Sequence, residues 1–195
     1  MNLAGNAAPV WINESELVQA DGWDYSVLAR EKTDLFCALD GETVIKSASL
    51  YGWKVTGDCV IEAEVSMKRT GNYDGAGLIL FGDERHWAKC CMEATDFGKI
   101  AVITVMTDGV SDDANGPNIT NDSVWLRLVR KGNDCSVHYS FDGKYYEMYR
   151  ICKVNLPETV TAALVAQAPV GPAGYRHFRN VKVEEKTVAD LRKGE

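Results

Sequence analysis

The segment from Cys59 to Lys68 constrains the fold most, because apolar and polar side chains alternate along it. Cys59, Ile61, Ala63, Val65 and Met67 fall on one side of this pattern, and Glu62, Glu64, Ser66 and Lys68 fall on the other. Successive side chains of a β-strand point to opposite faces. The segment is therefore predicted to be an antiparallel strand with its apolar face in the core and its polar face in water.

Short strand-like runs, separated by turn residues, recur along the rest of the chain. They occupy 25–29, 78–81, 100–107, 124–131, 134–141, 144–151, 160–168 and 178–184. Only 188–193 has the pattern of a helix. Many short strands with almost no helical periodicity predict an all-β sandwich or jelly roll. A chain of 195 residues suits one domain, and we expect it to span 1–195, with a short lead at 1–10 and a tail at 186–195.

Composition argues against several classes of partner and cofactor. The chain carries 28 acidic and 21 basic residues, a net charge of −7, and no basic cluster, so we expect neither nucleic acid nor membrane as a partner. Without a long apolar run or a signal-like start, a cytoplasmic location is expected. The six cysteines form no Cys-x-x-Cys pair and are predicted to be reduced and buried. The three histidines share no ligand spacing, so no metal site is predicted.

The stretch 72–93 carries the most unusual mixture of side chains and is predicted to form a strand, a tight turn at 82–85 and a second strand. Alternation places Trp87, Lys89 and Glu93 on one face of the second strand. Tyr73 and Asp74 precede the first strand. An indole, an ammonium and a carboxylate in line offer the stacking surface, donor and acceptor that a polyhydroxylated ligand needs. The alternative is an exposed strand face with a Lys-Glu pair.

The acidic stretch 111–118 is rich in residues that break regular structure, which predicts a loop at the rim of a site. Its carboxylate, amide and backbone oxygens are the ligand types that calcium prefers, although their spacing does not match an EF-hand. A solvated turn is the default interpretation. We therefore expect no cofactor, with calcium as the alternative.

Five motifs, in order along the chain, resemble those of a known family. They are Trp11-Ile12-Asn13-Glu14, Thr33-Asp34-Leu35-Phe36, Tyr73-Asp74-Gly75-Ala76-Gly77, Trp87-Ala88-Lys89 with Glu93, and Thr107 with Ser111-Asp112. They resemble the regulation-of-enolase family, domain of unknown function 1349, in the concanavalin A-like lectin/glucanase superfamily. The resemblance implies a concanavalin A-like jelly-roll sandwich of two antiparallel sheets with minimal helix. It also implies a concave sheet whose groove holds sugars in related folds. Phe36, Gly75 and Asp113 depart from the family pattern, which has Trp, Gln and Trp there.

Three functions remain open at this stage. The first is binding of a carbohydrate or related polyhydroxylated small molecule in a concave-sheet pocket, which we favour over catalysis. Its predicted ligand-binding residues, some of them placed by the resemblance alone, are Asp34, Tyr73, Asp74, Trp87, Lys89, Glu93, Thr107, Ser111 and Asp112. The second is glycoside cleavage, which needs two carboxyl groups about 5 to 9 Å apart, and Asp74 and Glu93 are the candidate catalytic pair. The third is a metabolic-regulatory protein-interaction module.

Overall fold

The computed structural model describes residues 2–3, 7–20 and 22–195, so the predicted lead at 1–10 lies partly outside the described residues. These ranges contain sixteen β-strands and no α-helix. The strands are β1 Val10–Ile12, β2 Leu17–Gln19, β3 Tyr25–Ala29, β4 Leu35–Cys37, β5 Val44–Lys46, β6 Ser49–Thr56, β7 Cys59–Met67, β8 Gly75–Asp83, β9 His86–Ala94, β10 Ile100–Asp108, β11 Val110–Asn118, β12 Ser123–Lys131, β13 Asp134–Ser140, β14 Glu147–Lys153, β15 Thr159–Gln167 and β16 Gly174–Glu185. Within the same ranges, no helix is long and apolar enough to cross a bilayer.

Two seven-stranded antiparallel sheets pack face to face, which confirms the predicted all-β sandwich. The first sheet has the order β1-β6-β15-β8-β9-β10-β11, and the second has the order β14-β13-β12-β7-β16-β3-β2. The alternating segment predicted from the sequence is β7, at the centre of the second sheet. Its apolar side chains, Cys59 through Met67 at spacing two, are buried in the core between the sheets. Its Glu62 instead faces outward and pairs with Arg127.

The first sheet is also buried over part of its outer face, because a small sheet formed by β4 and β5 covers that part. A second apolar cluster, here called the outer cluster, fills the space between them. It comprises Leu35, Ala48, Leu50, Ile79, Trp87, Cys91, Ala101, Ile103, Val105, Ala163 and Val165. The backbone N–H of Cys37 fastens this β4–β5 hairpin by donating to Ser111 Oγ at 2.9 Å. At the other end, Asn13 Nδ2 donates to the carbonyl of Ala48 at 2.8 Å. The hairpin is therefore part of the folded body.

Two local predictions were wrong. The stretch 111–118 is not a loop but the greater part of edge strand β11, paired with β10 after a turn at Gly109, whose φ is +85°. Backbone pairing with β10 satisfies the N–H and C=O groups on one side of the strand, and the edge position leaves its two acidic side chains exposed, so they do not oppose strand formation. The predicted helix at 188–193 is also absent. Val188 instead packs against Val60 and Val129 and fastens the tail to the second sheet.

All six cysteines are free, as predicted, and only Cys152 is partly exposed. Cys90 and Cys91 point to opposite faces of β9, the first into the core between the sheets and the second into the outer cluster. Burial raises the pKa of both the Cys59 and Cys90 thiols to about 12. Buried, protonated thiols of this kind behave as small apolar side chains.

Candidate functional site

A cavity of about 310 Å³ lies on the outer face of the first sheet, at the edge of the β4–β5 hairpin. Eight residues line it, and we call it the outer cavity. They are Asp34, Phe36, Tyr73, Lys89, Glu93, Val105, Asp113 and Gln167. Strands β9, β10, β11 and β15 of the first sheet, the hairpin region and the turn before β8 all contribute to this set. The cavity is therefore assembled by the tertiary fold.

Sheet register explains how these side chains come together. Lys89 on β9 lies opposite Val105 on β10, which in turn lies opposite Asp113 on β11. In a parallel row, Gly75 on β8 lies between Glu93 on β9 and Gln167 on β15. Directly paired residues of neighbouring strands share a face. All of these positions therefore present their side chains to the outer face.

Gly75 leaves space at the floor of the outer cavity. A Cβ atom at this position would lie 3.0 Å from Cγ and 3.3 Å from Cδ of Gln167. Without that atom, the Gln167 amide extends over the glycine and donates to Glu93 Oε2 at 3.4 Å. The glycine therefore leaves room for the contact between two side chains that its neighbouring strands supply.

The Gln167 amide is the centre of the hydrogen-bond network in the cavity. Its Oε1 accepts from Lys89 Nζ at 3.0 Å, and its Nε2 donates to the Tyr73 carbonyl at 3.0 Å. Lys89 Nζ also donates to the Leu35 carbonyl at 3.3 Å and lies 5.5 Å from the ring centroid of Trp87. These contacts fix the ammonium at the floor, and the side chain of Lys89 is almost fully buried.

The charges in the cavity alter one another strongly. Burial, opposed by Lys89 and reinforced by the two nearby aspartates, raises the pKa of Glu93 to about 8. Burial also raises the pKa of Asp113. For Lys89, burial lowers the pKa, but the negative charges of ionised Cys91, Glu93 and the two aspartates together outweigh it and leave the pKa above its ordinary value. At neutral pH the floor therefore combines an ammonium with a carboxylic acid that is largely protonated.

Of the nine predicted ligand-binding residues, the structure brings Asp34, Tyr73, Lys89 and Glu93 together around the outer cavity. Trp87 does not line it. The indole is 0% exposed and packs in the outer cluster beneath the hairpin, so the prediction that it offers an open stacking face is wrong. The sequence correctly predicts which face of β9 carries Trp87, but it does not show that the β4–β5 hairpin covers the ring.

The remaining predicted residues are occupied with structural contacts. Thr107 and Ser111 are buried and hydrogen-bond each other, Oγ1 to Oγ at 2.8 Å, beneath the hairpin. The Asp112 carboxylate points away from the outer cavity and pairs with Arg150, Nη2 to Oδ2 at 2.8 Å. None of the three lines the outer cavity, so the geometry gives them no direct contact with a ligand there.

Asp74 is also a structural residue, and this overturns the predicted catalytic pair. Its carboxylate is fully buried, and Oδ2 accepts from the backbone N–H groups of Thr70 and Gly71 at 2.8 and 2.9 Å. Arg176 Nη2 lies 3.5 Å from Oδ1. The Asp74 carboxylate therefore binds a buried arginine and the backbone of a turn, and it does not line the cavity that contains Glu93.

Replacing Asp74 by asparagine is expected to lower the free energy of unfolding by about 1.5 to 3 kcal/mol, because hydrogen bonds to a charged acceptor are lost and Arg176 loses its counter-charge. Urea denaturation would measure the loss. Asp83→Asn, at a carboxylate that is 57% exposed, is the control and should cost less. Unchanged stability in Asp74→Asn would contradict the structural role.

Sequence reasoning missed Gln167 and Val105, and it noted Asp113 only as a departure from a family pattern. A signal for Gln167 was present, because it continues the spacing of two set by Ala163 and Val165 on β15. Both of those residues belong to the outer cluster. A polar residue at the end of an apolar row lies at the edge of the buried cluster, where its side chain can line a cavity.

A larger cavity of about 600 Å³ lies beside the same hairpin, but the charged side chains that line it are largely exposed. Its walls include the apolar Ile12, Leu50 and Phe81. Lys46 at its edge pairs with Glu84. It therefore lacks the converging buried polar groups that distinguish the outer cavity, which we take as the candidate functional site.

The fold and site define a concanavalin A-like sandwich with a small polar cavity on one outer face. The chain belongs to the family described as "Protein of unknown function (DUF1349)", which residues 11–186 match. It is 24% identical over 144 residues to "Regulation of enolase protein 1" of Saccharomyces cerevisiae, covering 72% of this chain and 71% of that protein. The family resemblance deduced from the five motifs is thereby confirmed.

Solved structures share the fold. One is described as a functionally unknown protein from Saccharomyces cerevisiae and superposes with a TM-score of 0.84 at 21% identity, covering 92% of this chain and 97% of the other. Another is the carbohydrate-binding module CBM66 from Bacillus subtilis, with a TM-score of 0.56 at 15% identity, covering 90% and 95%. At these identities the similarity establishes the architecture alone.

Proposed function

We propose that this protein binds a carbohydrate or a related polyhydroxylated small molecule in the outer cavity. The observation that carries the proposal is the convergence of a buried ammonium, a buried carboxyl group and an amide on one small concavity. Lys89, Glu93 and Gln167 provide these three groups. Hydroxyl groups both donate and accept hydrogen bonds, so they match a mixed set of this kind.

The size of the cavity limits the ligand. Its volume of about 310 Å³ is at the lower end of small-molecule sites, which span roughly 300 to 1,000 Å³. Phe36 and Val105 supply apolar wall, while Tyr73, 41% exposed, stands at the mouth. A single ring fits this space better than an oligomer. The similarity to a carbohydrate-binding module supports the proposal at the level of fold.

Thermal-shift and calorimetric titrations with monosaccharides and oligosaccharides would test the proposal, because a ligand that binds only the folded state raises the melting temperature. Tyr73→Ala is expected to weaken binding by about 1 to 2 kcal/mol through lost contact area. Tyr145→Ala, at a tyrosine that is 82% exposed and outside the cavity, is the matched control and should bind normally. Failure of every sugar to bind would contradict the proposal and favour the protein-interaction module.

Glycoside cleavage is the second candidate, and a different pair of carboxyl groups would have to perform it. Glu93 has the raised pKa of a general acid, and Asp34 and Asp113 line the same cavity. Hydrolysis of aryl glycosides would test this function. Glu93→Gln should remove nearly all turnover if Glu93 is the acid, and should weaken binding only modestly if the cavity merely binds.

A further inference from the structure

We propose that the outer cavity selects ligands that carry a protonated amine, so that an amino sugar or amino polyol binds in preference to a neutral sugar or a sugar phosphate. This inference rests on the proposed function and specifies its ligand class. It follows from the excess of carboxyl groups over basic groups among the residues that line the cavity.

The lining contains three carboxyl groups and one cation. Asp34, Glu93 and Asp113 supply the carboxyl groups, and Lys89 is the only basic side chain among the described lining residues. The Lys89 ammonium already donates to a carbonyl and to the Gln167 amide, and its side chain is 2% exposed. Two of its three N–H donors are thereby used, which leaves one for a ligand hydroxyl but too few for strong binding of a phosphate or a carboxylate.

Glu93 provides a second observation that points to a missing donor. The residue is only 7% exposed, and within the described part of the chain just one of its carboxyl oxygens, Oε2, accepts a hydrogen bond. Because Glu93 lines the cavity, its other oxygen is available to a donor that enters from solvent. A charged donor forms a stronger hydrogen bond to such an oxygen than a neutral donor does.

The surrounding groups show why a ligand amine would be stabilised. Lys89 lies below Glu93, the Cys91 thiol adjoins both, and Asp34 and Asp113 stand across the cavity. Arg150 also interacts with Asp113, but its guanidinium pairs with Asp112 outside the cavity. An ammonium that enters would therefore meet two aspartates and a glutamate that can release its proton.

Matched sugars at pH 6.5 separate this inference from the function on which it rests. Glucosamine and galactosamine should bind about tenfold or more tightly than glucose, galactose and their N-acetylamino forms, because a hydrogen bond between charged groups exceeds a neutral one. Glucose 6-phosphate should bind least. Equal or tighter binding of the neutral sugars, or preference for the phosphate, would overturn the amine inference alone. If no sugar of any kind binds, the proposed function fails as well.

Two adjacent aspartates on β11 supply a matched pair of variants. Asp113→Asn removes a carboxylate from the cavity, and we expect it to reduce the preference for glucosamine over glucose several-fold. Asp112→Asn makes the same change at the next residue, whose side chain lies outside the cavity, and should leave the preference unchanged. Equal effects of the two variants, or none from Asp113→Asn, would contradict the inference.

Proton release gives a readout that a purely structural role would not produce. When the ammonium of glucosamine binds, the carboxyl group of Glu93 should ionise and release its proton to the buffer. The binding heat of glucosamine at pH 6.5 should therefore depend on the ionisation enthalpy of the buffer. Glucose should show no such dependence, and Glu93→Gln should abolish it. A binding heat for glucosamine that is the same in all buffers would count against the inference.

Discussion

Replacing Trp87 by alanine is expected to lower the free energy of unfolding by about 3 to 5 kcal/mol, the usual cost of removing a large aromatic side chain from a core. The indole is 0% exposed and packs in the outer cluster between the first sheet and the β4–β5 hairpin. The surrounding strands are held by their hydrogen-bond ladders, so they cannot collapse fully into the space. Urea denaturation followed by circular dichroism would measure the loss.

Two controls identify the origin of the Trp87 effect. Trp23→Ala, at an indole that is 40% exposed, should cost considerably less. Trp87→Phe keeps an aromatic ring and removes the buried indole N–H, which has no hydrogen-bond partner among the described residues, so it should cost less than alanine. Wild-type stability in Trp87→Ala, combined with weakened ligand binding, would show instead that the ring lines an open groove.

Glu93→Gln is expected to change the pH dependence of stability. The pKa of Glu93 rises from an ordinary 4.5 to about 8 on folding, so between these values the folded state holds a proton that the unfolded state has released. The wild-type protein therefore loses stability as pH rises through this interval, by at most about 5 kcal/mol. Glutamine resembles the protonated acid and cannot ionise, so the variant should escape this loss.

The measurement is the difference in unfolding free energy between Glu93→Gln and wild type at several pH values from 5 to 9. Taking the difference cancels the contributions of other titrating groups, such as the buried His138. We expect the variant to be close to wild type at pH 5 and to become progressively more stable up to about pH 8. Glu42→Gln, at an exposed position, should run parallel to wild type. A constant difference for Glu93→Gln would refute the assignment.

Period-two alternation predicted the sandwich well, because the pattern of apolar and polar side chains that marks a half-buried strand can be read from consecutive residues. It placed the apolar side of β7 in the core and assigned Trp87, Lys89 and Glu93 to one face of β9. The same reasoning could not show what lies over that face. The β4–β5 hairpin that covers Trp87 is distant in sequence, and its position depends on contacts such as the one from Cys37 to Ser111.

The prediction from composition was wrong where backbone pairing determines the secondary structure. The acidic, glycine-containing stretch 111–118 looked like a loop, but pairing with β10 makes it a strand and brings Asp113 into the cavity. Asp74 was grouped with Glu93 because the two lie near each other along the predicted hairpin. The structure shows that its preferred partners are two backbone amides and a buried arginine from β16.

The outer cavity has a floor and a wall of different origin. Lys89, Glu93 and Gln167 belong to the central strands of the sandwich, whereas Phe36 and Asp34 come from the short segment that crosses over them. Sequence change in that segment can reshape the opening without altering the register of any strand in the two large sheets. The shape of the opening and the buried charges beneath it therefore depend on different parts of the chain.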